Sequence, residues 1–142
     1  MIENLSNKIL ENLNTLKGTW KPFVDVFDYH NLESNGYPYV AFELVDFLAE
    51  IGDNCSNMRT FVFDIYIFQE IASDNDRQES KDIIYKAMDD VIKLFDENFT
   101  LDWLATGGVE PIGWTIVPFI TQSGKALVAT IRLNCKVLQS IK

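Results

Sequence analysis

Five carboxylates, Asp25, Asp28, Glu43, Asp46 and Asp64, sit one or two at a time in three runs that are otherwise mostly apolar and aromatic. Gathered on one sheet face, such acids could work as a pair for proton transfer, one protonated and one ionised. Each belongs to a run with its own register, so spacing alone does not bring them together. His30 is the only histidine, and nothing in the sequence places Cys55 or Cys135 beside it as a nucleophile. One histidine and two separated cysteines do not complete a structural zinc tetrahedron. Asp74-Asn75-Asp76 opens like a calcium loop. Gln78 then stands where a third oxygen ligand belongs, no glycine follows, and Tyr85 takes the place of the closing glutamate. Ser123-Gly124-Lys125 lacks the preceding glycine of a phosphate loop, and Ala126 replaces its Ser or Thr. Gly107-Gly108 reads as a turn or hinge, and no GxGxxG, GxSxG or HExxH occurs. The expectation is a protein that is not an enzyme, with no catalytic residue, no cofactor and no metal.

The elements that would carry these residues follow from periodicity. Ile2, Leu5, Ile9, Leu13 and Leu16 form one helical stripe, which Gly18 is expected to end. Three strand-like runs come next, at 20–30, 37–50 and 61–70, joined by polar loops at 31–36 and 51–57. Loops so short imply an antiparallel meander. A second helix is expected from the capping pair Asp76 and Glu79 to about Asn98, with Ile84, Ala87, Met88, Val91, Leu94 and Phe95 on its apolar face. Two strands close the chain. The first, 113–121, carries Pro118 and so belongs at an edge or a bulge. The second alternates cleanly, with Leu127, Ala129, Ile131, Leu133, Cys135 and Val137 inward and Thr130, Arg132, Asn134 and Lys136 outward. The predicted fold is α+β, one domain over 1–142. It has one mainly antiparallel sheet in the order helix–three strands–helix–two strands, with the helices packed on one sheet face.

Residues 61–70, FVFDIYIFQE, depart from the pattern of the last strand. Phe61, Phe63, Ile65 and Ile67 share one face, which a helix should cover, yet Val62, Tyr66 and Phe68 make the other face apolar as well. That second face calls for a second layer, and the expectation is another subunit. Val62, Asp64, Tyr66 and Phe68 are the candidate contacts, joined by Asp53 and Asn54 at the loop that could probe a neighbour. Asp64 is then a contact or register residue.

Composition limits the partners. With 47% hydrophobic residues the chain can bury a core, and a net charge of −9 argues against clustered cations for gripping nucleic acid. The cysteines read as reduced thiols, without a disulfide framework. The charged N-terminus does not resemble an export signal, and the longest uncharged run, Pro111 to Gly124, is too short and proline-broken to cross a bilayer.

The order of elements, from the N-terminal stripe through FVFDIYIFQE and the SDNDRQESKDIIYKAMDDVIKLF helix to the closing hairpin, resembles the tail terminator (tail completion) proteins of long-tailed bacteriophages, or a related neck protein. The resemblance implies a virion structural protein of the tail or neck, assembled in the host cytoplasm. It implies self-association into a ring, a hexamer, that ends the tail tube. It also implies contact with the tail tube protein and with a neck or head-completion protein, DNA passage without specific binding, and no membrane. An acidic lining suits such a channel. The alternative from the residues themselves is a small non-viral α+β module binding a ligand or partner, with Trp20, Trp103 or Trp114 at the mouth of a pocket.

Overall fold

A computed structural model describes residues 2–19, 21–29, 36–51, 56–71, 77–121 and 124–140. Along the chain come α1 (Ile2–Asn14), β1 (Asp25–Phe27), β2 (Tyr39–Ile51), β3 (Ser56–Ile71), α2 (Arg77–Glu97), β4 (Gly108–Thr121) and β5 (Gly124–Ser140). The strands form a single five-stranded sheet in the order β1-β2-β3-β5-β4. Every neighbouring pair is antiparallel except β1 with β2. The fold is therefore α+β with a mostly antiparallel sheet.

Two features depart from the sequence-based expectation. The first three strands are not a meander: β1 shrinks to three residues and pairs in parallel with β2, Asp25 beside Tyr39 and Phe27 beside Ala41. A parallel return normally needs a long crossover. Here the chain must retrace only about 10 Å, the length of β1, which the residues between Phe27 and Tyr39 span easily. The second departure is that β2 runs to Ile51 and β3 begins at Ser56, so strand reaches into both ends of the loop expected over 51–57, whose residues 52–55 lie outside the described residues. Order in space also differs from order in the chain. β3 and β4 both run antiparallel to β5 and hence parallel to each other, with α2 as their crossover and β5 folded back between them.

Both helices close the same face. Leu5, Ile9 and Leu13 of α1 and Ile84, Ala87, Met88, Val91 and Phe95 of α2 pack onto Val40, Phe42, Phe61, Phe63, Ile65 and Ile67. The predicted inward row of β5, Leu127 through Val137, is buried in the same core. α1 ends at Asn14, its last turn tightening through Leu16 N–H to Leu13 O, before Gly18 takes φ +129°, where a side chain would be strained. β4 is an edge strand with an irregularity between Pro111 and Gly113, and it carries Pro118, in keeping with a residue that cannot donate to a central ladder. Asp76 lies outside the described residues.

Candidate functional site on the open face of the sheet

On the face away from the helices, the register aligns Glu43 of β2, Asp64 of β3, Arg132 of β5 and Gly113 of β4 in one row. The next row holds Ala41, Tyr66, Thr130 and Thr115. Arg132 forks onto Asp64, Nε donating to Oδ1 at 2.9 Å and Nη2 to Oδ2 at 3.2 Å. Asp64 is buried, whereas the Arg132 side chain is 52% exposed. The hydrogen bond to Asp64 and its negative charge hold the guanidinium pKa above its ordinary value. Beside this pair, Tyr66 Oη donates to Glu43 Oε1 at 2.8 Å. Burial first, and then that hydrogen bond, raise the Tyr66 pKa well above the ordinary phenol value. Asp64, Gly113, Thr115, Thr130 and Arg132 line an open depression of about 500 Å³, and Gly113 leaves its floor without a side chain.

The acids of the apolar runs are thus partly brought together, but each is engaged differently. Asp64 and Glu43 are direct cross-strand neighbours, one held by Arg132 and the other by Tyr66. Asp46 Oδ1 accepts the backbone N–H of Phe47 at 2.8 Å, and Asp28 is exposed just beyond β1. Such an arrangement favours register over proton transfer. A slip of one residue between β3 and β5 would turn Asp64 toward the helices and separate it from Arg132. No group of three or more metal-ligating side chains occurs among the described residues.

One end of this face is covered from within the chain. Tyr39 stacks on Phe68 at 4.5 Å and 11°, and Phe27 meets Tyr39 edge-on at 5.9 Å. Tyr37 joins them, and Val128 and Ala41 complete the cluster. Of the candidate contact residues, Val62, Asp64 and Phe68 are buried and Tyr66 is part-buried. Phe68 therefore does not depend on a second subunit for its cover. Asp53, Asn54, Cys55, His30 and Trp20 lie outside the described residues.

The opposite end is bare. Pairing shifts between Leu44 and Asp46; Val45 at that bulge is exposed, and beyond it Leu48, opposite Thr60, is 52% exposed on this face, while Phe47, opposite Phe61, is 45% exposed on the helix side. Leu138 of β5 is exposed at the same end.

A second exposed feature follows α2. Leu101, Asp102 and Trp103 have φ of 47°, 56° and 73°, three successive non-glycine residues in the left-handed region. That conformation costs about 1–2 kcal/mol per residue. It is held by buried Leu101, by Asn98 Oδ1 and Thr100 Oγ1 accepting the Asp102 and Trp103 N–H groups, and by a 3.1 Å ion pair from Lys8 to Asp102. The result is an indole that is 77% exposed. The sequence marks Trp103 only as a candidate pocket rim and does not pair Arg132 with Asp64. Their shared outward parity was the available signal for the pair.

Comparison with protein-family models gives no match, and comparison with curated proteins gives none either.

Proposed function

We propose that this chain is a structural subunit that assembles into a ring of identical copies, ending the tail tube of a long-tailed bacteriophage and joining it to the neck while DNA passes unbound. In this reading the ring is a hexamer, its partners are the tube protein and a neck or head-completion protein, and it performs no turnover. The observation that carries the reading is the distal half of β2. Beyond the three residues that β1 covers, this strand has no described neighbour on its outer side, and it exposes Val45, Phe47 and Leu48. An apolar, unpaired strand edge invites association with another chain, and a closed ring is a way to bury it without open-ended growth. The hydrogen-bonded groups of Asp64, Arg132, Tyr66 and Glu43 beside it are of the polar kind found at the rim of subunit contacts.

The test is mass in solution by light scattering, together with negative-stain microscopy of the purified chain. A discrete closed ring of about six copies is expected. A chain that stays monomeric at its highest soluble concentration would sink the reading and leave the partner-binding module in its place.

A further inference from the structure

Besides the exposed indole, the chain carries a notch of about 380 Å³ on the flank of α2, bounded by Lys21, Pro22, Pro38, Ile83, Lys86 and Asp90. We infer that Trp103 of one copy seats in this notch on the next copy, forming the head-to-tail contact of the assembly. The inference deepens the ring reading and rests on it.

Three observations lead there. The first is shape and chemistry. The notch is walled by two proline rings, an isoleucine and two lysine stems, surfaces on which an indole packs well, and either ammonium can sit over its face. Neither lysine lies within 4 Å of a carboxylate among the described residues. The second is charge. The notch has two lysines and one aspartate in a chain of net charge −9. Trp103 instead projects from a region with Glu11, Asp96, Glu97 and Asp102, and the last turn of α2 has no basic residue. Lys8, bound to Glu11 and Asp102, and Lys93, 3.9 Å from Glu97, offset only part of that charge. The lining of the hole therefore offers two ammonium groups to the carboxylates around the knob, with Asp90 in the lining and Asp82 and Asp89 beside it on α2 offsetting part of that charge. The third is placement. From Lys86 to the end of α2 at Glu97 is about 16 Å of helix, so the indole and the notch of one chain are well apart. A knob and a hole at different places on one surface make a heterologous contact, which propagates from copy to copy and closes when the rotation permits.

The backbone supports a docking role. Three left-handed residues braced by side chains hold the indole outward before any partner arrives, so little ordering remains to be done on association. Aromatic anchors of this kind dominate protein interfaces.

The test uses two full-length variants, each changed at an exposed position so that folding is spared. Trp103→Ala removes the knob, and Ile83→Glu spoils the hole. Each should weaken self-association by ~30-fold or more in sedimentation equilibrium, the scale of an interface hot spot. The decisive measurement is the mixture. Trp103→Ala retains a good notch and Ile83→Glu a good indole, so a 1:1 mixture should form a dimer that grows no further, while each variant alone stays monomeric. Wild-type assembly that Trp103→Ala leaves intact would overturn the contact and leave the ring reading standing. Association by Ile83→Glu alone, or a mixture that stays monomeric, would overturn the contact in the same way. A wild type that never associates would overturn both.

Discussion

The two halves of β2 are built from similar residues and meet opposite fates. Tyr39, Val40, Ala41 and Phe42 are buried on both faces, whereas Val45, Asp46, Phe47 and Leu48, just past the bulge, are all exposed. Hydropathy does not separate these stretches; their neighbours do. The first half has β1 along its outer side, helices over one face, and the Phe27–Tyr39–Phe68 aromatic cluster on the other. The second half has β3 alone as its described strand neighbour, and Phe47 rests on Phe61 at a ring distance of 5.0 Å while remaining half open. Burial here is a property of layers, and a strand keeps its apolar character whether or not a layer arrives.

The contrast is broken most severely from the buried end. Phe68→Glu should leave the chain largely unfolded, because a carboxylate would replace a ring that is covered by Tyr39, at a loss above about 5 kcal/mol. A folded variant with native near-ultraviolet circular dichroism would show that the open-face cluster is peripheral. Phe42→Ala, on the helix side of the same half, should lower stability by about 3–5 kcal/mol in urea unfolding, since its cavity lies between the sheet and the core and cannot fill with water. A loss below about 1 kcal/mol would mean that the two halves of β2 differ less than their burial implies.

These two residues also mark what could be read from the sequence. Phe63 and Ile65, which Phe42 packs beside, follow period-two alternation, so their helix-facing side was legible, as was the whole inward row of β5, which lies between two paired strands. The run that holds Phe42 reads as apolar on both faces. Phe68 was legible as a residue of the second face, but its cover was not. That cover comes from Phe27, Tyr37 and Tyr39, and their approach depends on a three-residue parallel pairing that no local pattern announces. The bulge at Val45 was hidden for a related reason. One inserted residue changes the phase of alternation, so a strand that switches face reads as one that is apolar on both. Asp64 stands out in the sequence as an acid among apolar neighbours, but its counter-ion is 68 residues away, and only a fixed register identifies it.

A milder change probes the polar network between the two halves. Tyr66→Phe removes the hydrogen bond to Glu43 while keeping the ring, and should lower stability by about 0.5–1.5 kcal/mol at neutral pH. The folded state raises the Tyr66 pKa above its ordinary value of 10.0, so it favours the neutral phenol. That contribution is fully present below pH 10 and is lost as pH rises through the folded value. The gap between wild type and Tyr66→Phe should therefore be constant from neutral pH to pH 9 and then narrow in alkali. Cys135, whose thiol burial pushes up to about 12, also loses stability in alkali, but it is common to both proteins and cancels in the difference. A gap that is flat with pH would mean that the phenol is not held by Glu43.

The smallest effect on folding is expected at the exposed end, and there its smallness is informative. Leu48 is half exposed, directly opposite Thr60, on the face that no helix covers. Leu48→Asp removes no core contact, so the monomer should change by no more than about 0.5 kcal/mol in urea unfolding. Self-association should fall, because a charge placed on an unpaired apolar edge is how sheet proteins discourage edge contacts. If instead Leu48→Asp destabilises the monomer by an amount comparable with Phe42→Ala, the distal half of β2 already has a layer of its own, and its apolar surface no longer argues for a partner. If folding and association are both unchanged, the strand edge is a tolerated exposure and assembly must run through other surfaces. Only loss of association with folding intact makes the missing layer of β2 a neighbouring chain.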